Sequence, residues 1–303
     1  MTAEKMIEQA VLSRLGTKVT AVSPIGKGAS GSVYRVCCNG NPETLAVKVS
    51  PHPALMRQEF EMLSFLKERT ESKIPSVYFF EETENMAMIA MEYVRGVSGN
   101  DPRIKRSLHK KRLARSIIEN LLVIQNAHHD RFGPYNRAVY DTWQAYYREF
   151  ADEIYGFSKS KHADGELEGL VMQAVERSYR NFDCIFSEKI EKATLIHGDY
   201  WMPNFIIDPR SMELLAAVDP FNAMWADPEY ELFALTVGYG KKLRLYECYK
   251  KRVRVSKYCD LKLEIYALYS ELLWYKKGVP VEHSYLKKRA KRLLKELKKH
   301  HVC

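Results

Sequence analysis

The chain has 303 residues, 46% apolar and 28% charged, proportions of a soluble globular protein that exclude a disordered chain and a coiled coil. Its net charge of +9 is uneven: residues 241–303 hold 19 basic and 6 acidic side chains, residues 1–240 hold 28 and 32, so the body is slightly acidic and argues against a nucleic-acid partner. No run of about 18 uncharged apolar residues occurs, residues 1–16 show charged helical periodicity where a signal core would be apolar, and the six cysteines lack C-x-x-C spacing; a soluble, unprocessed cytoplasmic protein with reduced thiols and no cysteine-held metal is expected.

Met6, Ile7, Ala10, Val11 and Leu15 recur at helical spacing and predict a helix over 3–15. Short β-rich runs follow at 19–25, 32–38 and 44–49, the last two separated by the turn residues Asn39-Gly40-Asn41-Pro42. Leu55, Phe60, Leu63 and Leu66 return to helical period over 53–69, and 74–80 and 86–94 read as two further strands. The prediction is a five-stranded antiparallel sheet with one helix inserted after its third strand.

The stretch RGVSGNDP at 95–102 has linker composition and separates residues 1–94 from a second lobe, 103–303. Helical spacing dominates there, over 107–129, 137–157, 165–190, 228–239, 242–256, 261–277 and 281–301. Only 194–196, 205–208 and 214–219 read as strands. The fold class is α+β, with no internal repeat.

Three groups of residues carry chemistry. Gly26-Lys27-Gly28-Ala29-Ser30-Gly31-Ser32-Val33-Tyr34 is a G-x-G-x-x-G-x-V-Y run between two strands, where glycines let backbone N–H groups approach phosphate oxygens without Cβ obstruction. Residues after Gly31 are β-branched and aromatic, so a phosphate-covering hairpin fits better than a dinucleotide-binding turn into a helix. Lys48 lies inside the apolar strand Leu45-Ala46-Val47-Lys48-Val49, where an ammonium needs an acidic partner. Glu59 is the candidate, because Glu61 faces roughly 200° away around its helix. The third group is His197-Gly198-Asp199-Tyr200-Trp201-Met202-Pro203-Asn204 between two short strands, with Asp219 ending the next one. Asp199 can accept or orient a hydroxyl proton, and Asn204 and Asp219 are hard oxygen ligands suited to Mg²⁺ on nucleotide phosphates. The order of these parts is that of a phosphoryl-transfer site.

On these motifs, residues 16–280 resemble the protein-kinase-like superfamily, within it the small-molecule kinases typified by aminoglycoside phosphotransferases, choline kinases and fructosamine kinases. The catalytic loop HGDYWMPN has no lysine two residues after Asp199, Pro220-Phe221 replaces the Phe-Gly of protein kinases, and no A-P-E segment follows. Trp201, the pair Asp219-Pro220 with Glu229-Tyr230-Glu231-Leu232, and Phe132-Gly133 followed by Trp143 are most similar to fructosamine kinases. Met202-Pro203 and the GKGASGSVY loop depart from that family. Asp227-Pro228 with Glu231 is also similar to the D-P-x-x-D-L segment of aminoglycoside kinases.

The resemblance implies a bilobal protein-kinase-like fold, an ATP- and Mg²⁺-dependent kinase, and a small-molecule acceptor in the helical lobe. Gly26, Gly28, Ala29, Ser30, Gly31 and Val33 would cover the phosphates and Lys48, held by Glu59, would contact them. Asp199 would be catalytic, with Asn204 and Asp219 on magnesium. Met91, Glu92 and Val94 would form the adenine-binding hinge, with Ala46 and Ile206 sandwiching the ring. His197 would support the loop structurally. The implied acceptor is a fructosamine or related ketosamine, with an aminoglycoside as the competing class. Residues 150–191 hold nine acidic against five basic side chains, a mild tilt toward a polycationic acceptor.

A non-enzymatic alternative rests on residues 282–302, where Leu286, Ala290, Leu293, Leu294 and Leu297 form one stripe among lysines and arginines. Such a helix can lie on anionic lipid or grip nucleic-acid phosphates. It can equally pack its leucines on the helical lobe and leave its lysines in water, which is the expectation taken forward. Acceptor identity, nucleotide preference and oligomeric state have no signal in the sequence.

Overall fold

A computed structural model describes residues 2–28 and 31–301. The chain forms two compact units, each discontinuous in sequence: residues 1–124 with 197–223, and residues 125–196 with 224–303.

The first unit opens with helix α1, Ala3–Leu15, started by the Thr2 hydroxyl and ended by Gly16 in the left-handed region, φ 65°. Its Ile7, Ala10 and Val11 are buried against Val36, Leu45, Val47 and Ala90. Five strands, β1 (Val19–Lys27), β2 (Ser32–Cys38), β3 (Thr44–Ser50), β4 (Val77–Glu82) and β5 (Ala87–Glu92), form a sheet in the order β1-β2-β3-β5-β4. Every pairing in it is antiparallel. Helix α2, Pro53–Arg69, follows the third strand, as expected. Its buried face is Met56, Glu59, Met62, Leu63 and Leu66, whereas Leu55 is 46% exposed. The expected apolar face was rotated because Met56 and Met62, which share the buried face with Glu59, were not counted in it.

The stretch 95–102 lies inside this unit and is not a loose linker. Val97–Ser98 pairs antiparallel with strand Phe205–Asp208, which in turn pairs with Glu213–Ala217. A Cβ at Gly96 would stand 2.6 Å from the Ile206 side chain, and one at Gly99 would stand 2.2 Å from the Met202 carbonyl oxygen. These glycines permit close packing; they do not supply flexibility.

The second unit is mainly helical. Its longest helices are Trp143–Ala163, Gly169–Arg180, Cys259–Lys276 and His283–Lys299. The helix expected over 165–190 breaks at Asn181, and that over 242–256 is divided by Arg244, which takes φ 57°. A four-stranded sheet, unforeseen apart from Ala193–Ile196, adds His128–His129, Met224–Ala226 and Gly133–Pro134. Strands of two or three residues present no period to read. At the centre Trp143 donates to the Tyr266 hydroxyl at 3.0 Å. Buried Lys262 is held by Asp227 and Glu229 at 2.6 Å each, so that the two carboxylates outweigh burial and keep its pKa above the ordinary lysine value.

Leu286, Ala290, Leu293 and Leu297 of the last helix are fully buried. The apolar stripe of the basic tail is therefore used in packing. Among the described residues no helix is long and apolar enough to cross a membrane.

Candidate functional site

The described site residues predicted from the sequence all belong to the first unit. Lys48 sits mid-strand in β3, opposite Val33 on one side and Ile89 on the other. Its ammonium is buried and bonds Glu59 at 2.6 Å and Asp219 at 2.8 Å. Burial works against that charge, but the two carboxylates outweigh it and hold the Lys48 pKa above its ordinary value. Glu59 is itself buried, which pushes its carboxyl upward while Lys48 pulls it down.

Asp219 follows the strand Glu213–Ala217 and adopts φ 60°, a left-handed conformation in which a non-glycine residue is strained. This conformation accompanies its ion pair with Lys48 across a separation of 171 residues. The Val218 N–H donates to the Asn204 carbonyl at 2.9 Å, so the residue preceding Asp219 is locked to the Asp199–Asn204 loop.

That loop is built from rigid parts. Gly198 takes φ 83°, and a Cβ there would stand 2.2 Å from the Phe221 carbonyl oxygen, so the position requires glycine. Buried Tyr200 donates to the Ile117 carbonyl at 2.8 Å and accepts from Asn120 at 3.1 Å, both on the helix Lys110–Gln125. Asn204 closes a short 3-10 turn and donates through Nδ2 to the Asp199 carboxylate at 2.7 Å and to its carbonyl at 3.0 Å. The Asn204 side-chain oxygen remains as the acceptor of that amide.

Burial pushes the Asp199 carboxyl up to about 6, with the Asn204 hydrogen bond resisting and the nearby Asp219 charge adding to the rise. Trp201, 39% exposed, also hydrogen-bonds this carboxylate. His197 is fully buried and accepts the Asp199 N–H on Nδ1 at 3.4 Å; burial holds its pKa down to about 4, so the ring is neutral at pH 7. Its expected supporting role fits that placement.

A cavity of about 480 Å³ opens beside Lys48. Its lining includes the expected Gly26, Val33, Ala46, Lys48, Glu59, Met91, Glu92, Val94, Ile206 and Asp219. Tyr93 of the expected hinge segment also lines it, and Ile25, Pro75, Val97, Phe205 and Val218 are among the wall residues that were not foreseen. Ile25 and Val218 each adjoin a motif already identified, a signal available in the sequence. Pro75 carried none. The Glu92 N–H is committed to the Ser76 carbonyl at 2.8 Å, so a ring at this edge has the Glu92 carbonyl and the Val94 backbone as candidate partners.

In the glycine-rich hairpin, Gly26 pairs with Val33 and the Gly28 N–H donates to the Gly31 carbonyl at 2.8 Å. A Cβ on Gly31 would lie 2.4 Å from the Val49 carbonyl oxygen, so this glycine is required by the neighbouring strand. Ala29 and Ser30 lie outside the described residues. Among the described residues no cluster of three or more His, Cys, Asp or Glu side chains could hold a metal ion. Asn204 and Asp219 offer two hard oxygen ligands, a set that suits Mg²⁺ only when phosphate oxygens and water complete the coordination.

Residues 21–244 match the family described as a phosphotransferase enzyme family. The Escherichia coli (strain K12) protein YcbJ, itself uncharacterised, is 25% identical over 229 residues, covering 73% of this chain and 75% of its own. Aminoglycoside phosphotransferase APH(4)-Ia superposes with a TM-score of 0.71 at 15% identity, covering 97% of this chain and 99% of that one. A thermostable mutant of the same enzyme is known as a ternary complex with AMP-PNP and hygromycin B. A Haemophilus somnus 129PT protein assigned as a fructosamine-3-kinase superposes with a TM-score of 0.70 at 15% identity, covering 95% and 96%. These structures share the fold of this chain.

Proposed function

The chain belongs to the phosphotransferase enzyme family, and on that premise we propose that it transfers the γ-phosphoryl group of ATP to a hydroxyl of a small molecule. The observation that carries the reading is the meeting of Lys48, Glu59 and Asp219 within 2.6–2.8 Å at the edge of an apolar cavity, with the Asp199–Asn204 loop locked to the residue before Asp219. The adenine ring of ATP enters between Ala46 and Ile206, and the ATP phosphates take the place of Asp219 at Lys48. Asn204 and Asp219 would hold Mg²⁺, which would neutralise charge on the transferring phosphoryl group. Asp199 accepts the acceptor hydroxyl proton as the new oxygen–phosphorus bond forms and the bond from phosphorus to the ADP oxygen breaks. Its carboxyl, with a pKa raised to about 6, is ionised at neutral pH and is a stronger base than an ordinary aspartate.

Within this reaction the acceptor is a ketosamine of the fructosamine type. Support comes from the loop Asp199-Tyr200-Trp201, from Glu229-Tyr230-Glu231-Leu232, and from the fold shared with the protein assigned as fructosamine-3-kinase. The aminoglycoside reading is favoured by the acidic tilt of residues 150–191 and by the equal likeness to APH(4)-Ia. Purified protein with ATP, Mg²⁺ and separate panels of ketosamines, aminoglycosides and amino alcohols decides between them. Turnover confined to ketosamines supports the first reading, turnover confined to aminoglycosides the second. Absence of turnover on every panel, with no ATP-induced rise in melting temperature, overturns the reaction.

A further inference from the structure

Residues 103–112, Arg-Ile-Lys-Arg-Ser-Leu-His-Lys-Lys-Arg, hold six lysines and arginines and no acidic residue. They join the short helix Pro102–Arg106 to the helix Lys110–Gln125. At the bend, Leu108 is 94% exposed, the highest value among the large exposed apolar side chains of the described residues. The bend is firmly held. Buried Ile104 anchors its first helix, Asp101 caps that helix by accepting the Arg103 N–H at 2.8 Å, and Gly99 just upstream donates to the Phe205 carbonyl at 2.8 Å. Arg103 and Arg112 are committed to Asp101 and Glu213 at 2.9 and 2.6 Å. Arg106, Lys110 and Lys111 are exposed, and no carboxylate of the described residues pairs with them.

We propose that this bend docks on an anionic lipid bilayer, with Leu108 entering the boundary of the acyl chains and Arg106, Lys110 and Lys111 against the headgroups. Charge complementarity selects an anionic partner. A second copy of the chain, related by a two-fold axis, would set these cations against themselves. A nucleic-acid backbone would satisfy the cations but not the leucine, and the segment has no Phe, Tyr or Trp on which a base could stack. A bilayer uses both features. Removing a leucine from water strengthens partition about tenfold, and each cation near an anionic surface adds about fivefold. The C-terminal helix His283–Lys299 also exposes lysines, but its Leu286, Leu293 and Leu297 are buried and its Leu294 half-buried, so it has no exposed leucine to insert.

Co-sedimentation of the full chain with phosphatidylcholine vesicles, with and without phosphatidylglycerol, tests the proposal. Retention is expected only with phosphatidylglycerol and should fall as salt rises. Leu108→Ser should weaken it about tenfold, and Arg106→Ser, Lys110→Ser and Lys111→Ser together about a hundredfold, with melting temperatures unchanged because these side chains are exposed. Three results would each overturn the proposal: no retention at low salt, retention insensitive to Leu108→Ser, or retention abolished by Lys288→Ser with Lys291→Ser and Lys295→Ser but kept by the bend variants. Tighter binding to duplex DNA, unaffected by Leu108→Ser, would replace it with a nucleic-acid contact.

Discussion

Glu59→Leu removes one of the two carboxylates that hold the buried Lys48 ammonium and leaves Asp219 as its partner. The Lys48 and Glu59 side chains are 7% and 9% exposed, while that of Asp219 is 47% exposed. Breaking a buried pair on one side costs about 3–5 kcal/mol; retention of the half-exposed Asp219 contact places the expected loss at the lower end, roughly 3 kcal/mol. Glu59→Gln keeps a neutral acceptor in place and should cost only about 1–2 kcal/mol, the difference between a charge-assisted and an ordinary hydrogen bond. Lys48→Met combined with Glu59→Leu removes both charges and should recover much of the loss, since apolar replacements of similar volume relieve the desolvation cost. Urea unfolding of the wild type, Glu59→Leu, Lys48→Met and the double variant gives a coupling energy, expected to be about 2 kcal/mol. Additive losses, with no coupling beyond about 0.5 kcal/mol, would refute a direct energetic link between the two residues.

Of three further predictions, two concern the same unit and one the helical unit. Gly31→Ala should destabilise by about 1–3 kcal/mol because its Cβ meets the Val49 carbonyl oxygen, whereas Gly26→Ala, whose Cβ meets only Val33 at 4.0 Å, should stay within about 0.5 kcal/mol; equal urea midpoints for the two would sink the packing argument. His197 has a pKa near 4 in the fold against 6.5 when unfolded, so the unfolded chain binds the extra proton between those values. Its contribution is intact above pH 6.5 and is lost as pH falls toward 4, about 3 kcal/mol in all; His197→Gln should flatten the stability profile over that window, and an unaltered profile contradicts the assignment. Lys262→Met leaves Asp227 and Glu229 buried without their cation and should cost about 3–5 kcal/mol in thermal or urea unfolding, a loss below 1 kcal/mol arguing that the network is incidental.

The N-terminal sheet was legible because its strands are six to nine residues long and bounded by turn residues. The site was legible because each part sits on a recognisable local pattern: glycines between strands, a lysine in an apolar run, and Asp199 five residues before Asn204. What escaped depended on contacts distant in sequence. The glycines of 95–102 looked like linker chemistry, yet they answer to Met202 and Ile206 more than a hundred residues later. Leu55 was placed inward because Met56 and Met62, which share the buried face with Glu59, were not counted in the apolar stripe. The bonding of Asp219 to Lys48 and its positive φ had no sequence signal, since an aspartate at a strand end is equally at home as a turn residue.

The most direct test of phosphoryl transfer at this site follows the γ-phosphoryl of labelled ATP in wild type and Asp199→Asn, with nucleotide binding measured on the same samples. The account predicts label on an acceptor hydroxyl with the wild type, a loss of about 10²–10⁴-fold in turnover with Asp199→Asn, and ATP binding kept in both. Undiminished transfer by Asp199→Asn, with its ATP affinity intact, would contradict it.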